Sequence, residues 1–526
     1  MAAPGLTRQI TRSFGAGMHR AGAPELIPPT GVHQATNCLL DKHGAIFKRG
    51  GTSWRSAVMP GSSLITWVWD GTLAGGGQQT LVNNGVNLYR ANGIGPAEGF
   101  TEIAGVGAVT GRPAVYKGIM YLPGGKTYNG TAVGTEAKGA EYYAIVANRL
   151  VAASNTTVWV SKIGEPGTYE ANEYIEVPGG VKIIGLEPGR DSLLIFTTGG
   201  VWILSNLAVK LTDASGNPQW KLDRYSGDLV LWQDRGIAGW QGSVIVPGTD
   251  AIYLINRGVT SELPQGFQRI SDPIRELYRE YVKRGYFLGG ACVYENHYLL
   301  PVLYNTALGI PSFYDVLVCR LDLSHPRDEL GDPAAIGVWT HLRGAGAQVW
   351  AFAVRVPPGA GRSPELIGGG WSPNRLQTCN YFNPGPTSTT DADTSVPEWQ
   401  LETRAYSTGQ VDQNLVARLR VDYLMWAPEG VTPPQISAQS AHESPEPETA
   451  PAWGEVTWGT FSWSAPGVAW ASLPGTAPTS RDGQIAKSWR LREKCRYIRF
   501  RLFCQTPTAQ LQIKSIEVFT RQGGRP

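Results

Sequence analysis

Between Ser62 and Phe382 the chain repeats one local pattern: an apolar run, a break bearing glycine or asparagine, and a second apolar run. The clearest copy lies in Gly242 to Val282. Val244 to Val246 is followed by Pro247-Gly248-Thr249-Asp250, then by Ile252-Tyr253-Leu254-Ile255, which closes on Asn256-Arg257-Gly258. Pro-Gly and glycine at these offsets reverse the chain, while β-branched and aromatic residues favour extended backbone. Two strands of a small antiparallel sheet are expected here. Other copies include Leu64 to Trp69 with Thr80 to Tyr89, Ala114 to Leu122, Tyr142 to Val160, and Val181 to Leu204 around Gly199-Gly200. Gly289 to Leu303 with Val316 to Leu321, and Trp350 to Val356 with Leu366 to Gly370, complete the series.

The average spacing is roughly 45 residues, a period typical of β-propeller blades. About seven units fit, within the range of known propellers. Stacked sandwiches are the competing all-β reading. The propeller is preferred because the long runs lack the polar-out alternation of an exposed sandwich face. Composition agrees with an all-β chain: 65 glycines, 18 tryptophans and only 17% charged residues in 526, against a usual quarter charged.

One segment departs from the strand pattern. Ser271-Asp272-Pro273 places an N-cap candidate before a first-turn proline, and Ile274, Leu277, Tyr278, Tyr281 and Val282 recur at helical spacing. One short helix near 271–283 is predicted, with Ser271 as its cap.

Three regions follow. Residues 1–54 read as an N-terminal arm and leading strand, 55–390 as the propeller, and 391–526 as a β-sandwich. The stretch 427–451, rich in Pro, Ser and Glu, reads as a mobile loop or linker. Strands are expected at Leu401 to Tyr406, Leu415 to Trp426, Trp453 to Trp463 and Val468 to Leu473. In Tyr497 to Phe503, Ile498, Phe500 and Leu502 would face a core, with Arg499 and Arg501 outward.

Catalytic signatures are sparse. Pro123-Gly124-Gly125-Lys126-Thr127 has the end of a P-loop, but Met120 stands where the first glycine belongs and no helix pattern follows. A hairpin turn is the better reading. There is no GxSxG or HExxH. The histidines are dispersed, and Asp391-Ala392-Asp393 lacks the further ligands of a calcium loop. No catalytic residue, cofactor or metal ligand is assigned, and no enzyme activity is expected. Six cysteines without a CxxC pair suit a reducing compartment. No apolar run reaches membrane-spanning length and no signal-peptide core is present. A net charge of +3 does not by itself imply nucleic acid or membrane binding.

Two pieces resemble a known family. Asn37-Cys38 through Gly44-Ala45-Ile46-Phe47-Lys48-Arg49-Gly50-Gly51 is similar to the opening segment of the nozzle, or tail tubular B-type, proteins of short-tailed bacteriophages. Ser243, Gly248, Ile252 to Ile255, Gly258-Val259, Ile270-Ser271 and Ile274 resemble a blade of the same proteins, and Tyr294 to Leu300 through Gly337-Val338-Trp339-Thr340 the next one. The resemblance spans roughly Thr36 to Trp350. It implies a structural virion-tail component assembled in the host cytoplasm. It further implies a ring, six-fold in the family, docked on an adaptor or portal assembly, through which double-stranded DNA passes without sequence readout.

A conduit should not grip phosphates, because counterion-release binding would slow ejection. The basic residues of the two chain ends, Arg8, Arg12, Lys48, Arg49, Arg499 and Arg501, are therefore expected at subunit or adaptor contacts, around a neutral to acidic bore. The alternative is a receptor- or glycan-binding tail protein that uses exposed aromatics near Trp371 or Trp458.

Overall fold

A computed structural model describes residues 6–522 except 21–25, 62–64, 190–191, 209–218, 257–266, 306–310, 325–335, 345–346, 359–361, 371–374, 383–398, 408–413, 427–435, 443–470, 474–481, 495–496 and 505–509. The protein is all-β with one short α-helix among the described residues. It divides into two compact units. One contains 52–321 and 343–380; the other contains 1–51, 322–342 and 381–526. The units thus interleave in sequence. The N-terminal segment, read above as an arm, belongs with the C-terminal region, and so does 322–342, which sequence reading placed in the repeat.

The larger unit holds six four-stranded antiparallel sheets and, numbered sheet 6 below, a set of antiparallel strands that belongs to a twelve-stranded sheet. Sheet 1 is Trp67–Leu73, Gly77–Asn83, Leu88–Ala91 and Phe100–Glu102; sheet 2 is Ala114–Tyr116, Ile119–Leu122, Lys126–Tyr128 and Val133–Thr135. Sheet 3 is Tyr142–Val146, Arg149–Ser154, Thr157–Val160 and Tyr174–Glu176; sheet 4 is Ile183–Pro188, Leu193–Thr197, Gly200–Ser205 and Lys221–Ser226. Sheet 5 is Ala238–Trp240, Ser243–Pro247, Ile252–Asn256 and Phe267–Arg269, which bears out the two strands expected there. In sheet 6, Phe287–Leu288 and Cys292–Tyr294 share one edge of His297–Asn305, and Pro311–Ser324 takes the other. Sheet 7 joins Val349–Arg355, Glu365–Gly370 and Leu376–Cys379 to Thr52–Trp54, so the first strand of the unit completes its last sheet.

Each sheet buries its apolar faces against its neighbours. Leu81 and Leu88 of sheet 1 meet Met120 and Tyr128 of sheet 2. Tyr121 meets Tyr143 and Leu150 between sheets 2 and 3. Val151 and Val158 meet Ile183 and Ile195, and Phe196 and Ile203 meet Val244 and Val246. Gly290 bridges to Ala351 between sheets 6 and 7. Ala351 and Ile367 of sheet 7 then pack on Val68 and Val82 of sheet 1. Fully burying one such aliphatic side chain stabilises by about 1.5–3 kcal/mol. This two-sided burial explains the unbroken apolar runs in the sequence.

Four first hairpins turn on two residues with positive φ: Lys117-Gly118, Ala147-Asn148, Gln241-Gly242 and Glu295-Asn296. That is the geometry that matches strand twist in a tight hairpin. The aromatic residue just before the turn reaches onward to the next sheet. Tyr116 Oη donates to Asn148 O at 2.9 Å, Trp240 Nε1 to Asn296 Oδ1 at 3.2 Å, and Tyr294 Oη to Pro364 O at 2.8 Å.

The helix, Arg275–Lys283, follows a 3-10 turn at Asp272–Ile274. Tyr278 and Tyr281 are its buried residues; Tyr278 Oη donates to Gly248 O at 2.6 Å. Gly285 (φ 69) lies just beyond its end. Ser271 does not cap it. Its Oγ accepts Ile252 N–H at 2.8 Å instead, because satisfying a buried strand amide competes with the exposed helix start. The P-loop-like segment is a hairpin, with Gly124 and Gly125 both at positive φ ahead of Lys126–Tyr128.

The smaller unit is built on two sheets. The first runs Cys38–Leu40, Ile46–Lys48, Gln510–Gln522, Asn414–Trp426, Asp482–Lys494, and Leu6–Thr11 also pairs with Gln510–Gln522. In the second, Gly31–Thr36 pairs with Trp399–Thr403, that strand with Tyr497–Cys504, and the latter with Ser437–His442. Part of the expected 427–451 linker is therefore a strand. Contacts between the two sheets include Thr11 Oγ1 with Tyr406 Oη at 3.2 Å and Lys487 Nζ donating to Ile436 O at 3.0 Å. Ile498, Phe500 and Leu502 are buried, as their alternation implies, but so is Arg499. Position 499 thus departs from the outward face that alternation implies, whereas Arg501 on the same face stays partly exposed. The strands expected at Trp453 to Trp463 and most of Val468 to Leu473, together with Asp391-Ala392-Asp393, Gly258-Val259, Trp371 and Trp458, lie outside the described residues.

Candidate functional site

The first of the two pieces that carry the family resemblance, Asn37 to Gly51, forms a corner of the smaller unit. Gly31–Thr36 belongs to one sheet and Cys38–Leu40 to the other, so the chain changes sheets at Asn37. Asn37 does so in the left-handed region, at φ 54, which asparagine tolerates better than most residues. Its N–H donates to His341 O at 2.8 Å and its carbonyl accepts Arg49 N–H at 3.0 Å. Its side-chain Oδ1 accepts Arg49 Nε at 2.9 Å. Arg49 is 1% exposed. Its Nη1 donates to Gly50 O at 3.0 Å, and the guanidinium lies 5.3 Å from the Tyr381 ring centroid. A planar fork that bonds in its plane and stacks on its face is the property that lysine lacks.

The six basic residues singled out in the sequence occupy different environments. Arg8 and Arg12 are exposed. Arg8 pairs with Glu517 and lies over Phe519. Lys48, Arg49 and Arg499 are buried within their own unit. Arg501 is partly buried, with Nη2 2.7 Å and Nε 2.9 Å from Glu402 Oε1. His33 Nδ1 lies 3.2 Å from the other oxygen. Burial pushes the Glu402 carboxyl up, but the His33 hydrogen bond and the Arg501 charge outweigh it and hold the pKa at about 2.

A second constellation, in the larger unit, joins the starts of several sheets. Arg235, just ahead of sheet 5, sends Nη2 to Val109 O at 2.9 Å, Nη1 to Thr66 O at 3.1 Å and Nε to Thr110 O at 3.3 Å. Those carbonyls precede sheets 2 and 1. Its own carbonyl accepts Ala291 N–H at 2.9 Å, ahead of the Cys292–Tyr294 strand of sheet 6. Arg112, ahead of sheet 2, sends Nη2 to Leu186 O and Glu187 Oε2, both at 2.7 Å, in sheet 4. Its N–H donates to Asp234 Oδ2 at 3.3 Å. Desolvation raises the Asp234 pKa despite the neighbouring guanidiniums, and desolvation lowers that of Arg235. Five sheets are thus tied through two arginines and one carboxylate. Sequence reading missed this hub, because Gly111-Arg112-Pro113 and Asp234-Arg235-Gly236 match no motif. The available signal was charge placed between long apolar runs.

Among the described residues no cluster of three or more His, Cys, Asp or Glu could hold a metal ion, and no helix is long and apolar enough to cross a membrane. No protein-family model and no curated protein matches the chain. Among solved structures, the extracellular domain of a hybrid two-component system from B. thetaiotaomicron aligns with a TM-score of 0.33 and 9% identity, over 63% of this chain and 39% of that one. The CNH domain of AfRom2 aligns with a TM-score of 0.29 and 8% identity, over 62% of this chain and 97% of that one. At these scores neither likeness bears on function.

Proposed function

We propose that this chain is a structural component of a short-tailed phage tail, a nozzle-type subunit that assembles with copies of itself into a conduit for double-stranded DNA. In this reading the seven sheets are the blades of a closed propeller and the smaller unit is a β-sandwich. The observation that carries it is the Asn37–Arg49 corner. Asn37 and Arg49, two of the residues behind the family resemblance, are buried and bonded to each other, as a shared structural motif requires.

The propeller reading rests on the contact between sheets 7 and 1 and on Thr52–Trp54 completing sheet 7. Closure removes free strand edges and gives a stiff body suited to load. The Arg112–Asp234–Arg235 hub would then lie on the axis of each propeller, so DNA would pass between copies rather than through one chain. Arg8 and Arg12, exposed near the N-terminus, are the basic residues available for subunit or adaptor contacts.

The test is native mass of the purified protein, alone and mixed with its adaptor or portal assembly, with electron-microscopy class averages. A closed ring, six-fold in the family, with a bore wider than duplex DNA is expected. A chain that stays monomeric in both conditions overturns the proposal.

A further inference from the structure

Sheet 1 carries a cleft of about 480 Å³ at the end where its first hairpin turns. That volume is in the range of small-ligand sites. Its walls come from two stretches, Gly76 to Thr80 and Arg90 to Ile94, and from Arg355 of sheet 7. Glycine keeps the space open: a Cβ on Gly76 would fall 1.8 Å from the Gln79 amide nitrogen and 2.7 Å from Gly130 O.

The hydrogen-bonding pattern of the walls is one-sided. Asp70, which faces Arg355, is already engaged. Its Oδ1 accepts Gln78 Nε2 at 2.7 Å, its Oδ2 accepts Thr80 Oγ1 at 2.5 Å, and Arg355 Nε lies 3.6 Å away. Asp70 is 1% exposed, so it offers the cleft no acceptor. Gln79 Nε2 is held by Gly130 O at 2.8 Å. Asn92 Oδ1 accepts Thr101 Oγ1 at 2.6 Å, which leaves its NH₂ to donate. Arg355 Nη1 shares Glu365 Oε2 with Arg55, at 3.3 and 2.8 Å. Arg90 has no hydrogen bond or ion pair among the described residues. The local charges are Arg55, Arg90 and Arg355 against Asp70 and Glu365, with the exposed Glu98 carboxylate beside the Gly93 backbone. Among the described residues, Ala91 and Ile94 are the only apolar side chains in the lining.

We propose that this cleft binds a small polar ligand through an oxyanion, with Arg90 as the principal contact and the Asn92 amide and Arg355 as supporting donors. A carboxylate or a phosphate meets the same requirement, since both take charge-assisted bonds from a guanidinium fork. A cation is disfavoured because Asp70 and Glu365 are already engaged and three arginines surround them, and an apolar ligand finds almost no surface. The site stands independently of the tail reading.

The experiment is titration calorimetry of the full chain with sodium galacturonate, with inorganic phosphate, and with glucose as the uncharged comparison. Saturable binding of at least one anion and none of glucose is expected, and which anion binds identifies the source of the oxyanion. Arg90→Gln, which breaks no recorded bond, should weaken that binding about tenfold, the loss of one charge-assisted contact. Lys221→Gln, on sheet 4, should leave it unchanged. Failure of both anions to bind, or equal binding by Arg90→Gln, overturns the assignment.

Discussion

Arg49 Nε donates to Asn37 Oδ1 at 2.9 Å, and the bond closes over the point where the chain leaves one sheet of the smaller unit for the other. Arg49→Met keeps the stem and removes the guanidinium, leaving Asn37 Oδ1 buried without this donor. Stability should fall by about 3 kcal/mol, read as a lower urea midpoint for the full chain. Arg49→Lys should recover little of it, because the ammonium cannot bond both oxygens in one plane.

Two substitutions at Asn37 separate backbone from side chain. Asn37→Gly accepts φ 54 without a Cβ penalty but loses the side-chain bond to Arg49. Asn37→Ala loses the bond and adds strain, so it should be less stable than the glycine variant by about 1 kcal/mol. Equal midpoints for the two would mean that the left-handed geometry contributes nothing.

The hairpin turns allow a gain as well as a loss. Ala147 sits at φ 50, where a Cβ is strained. Ala147→Gly should raise stability by roughly 0.5–1 kcal/mol. Tyr116→Phe deletes the donor to Asn148 and should cost about 1 kcal/mol.

Arg235→Met removes the donors that hold the chain ahead of sheets 1 and 2. The expected cost is about 3 kcal/mol or more. Hydrogen exchange should accelerate first in Trp67–Leu73 and Ala114–Tyr116, the strands that follow Thr66 and Thr110, rather than uniformly over the unit.

Acid should unfold the smaller unit through Glu402. Its folded pKa, about 2, lies below the ordinary 4.5, so its contribution is fully present above pH 4.5 and is lost as pH falls towards 2. The upper bound is about 3 kcal/mol. Glu402→Gln should flatten the stability profile in that window. Asp234 has the opposite sign. Its pKa is raised, so its contribution is present below the ordinary aspartate range and lost as pH rises through the folded value. It cannot be the source of an acid transition.

How much was legible follows from how local each feature is. The strands Ser243–Pro247 and Ile252–Asn256 and the helix at 275–283 are encoded by neighbouring residues, and alternation and turn chemistry suffice to read them. The turns at Lys117-Gly118, Gln241-Gly242 and Glu295-Asn296 also carry a local signal, glycine or asparagine after an aromatic and one spacer. The role of Ser271 was not, since Ile252 N–H reaches it from 19 positions away. The sorting of 1–51 and 322–342 with the C-terminal region depends on pairings over hundreds of residues, which local pattern does not specify. For the same reason the Arg112–Asp234–Arg235 hub is invisible in one dimension, and so is the split among the six basic residues between exposed Arg8 and Arg12 and buried Lys48, Arg49 and Arg499.

Leu6–Thr11 lies against Gln510–Gln522, with Leu6 opposite Arg521, and Thr52–Trp54 lies against Gln377–Cys379. On the ribosome, these strands therefore wait for partners made hundreds of residues later. Neither unit can lock while its last strands are still in the exit tunnel. Such long-range closure is slow and leaves edges open meanwhile, so the nascent chain depends on its internal hairpins to stay soluble until these distant strands pair.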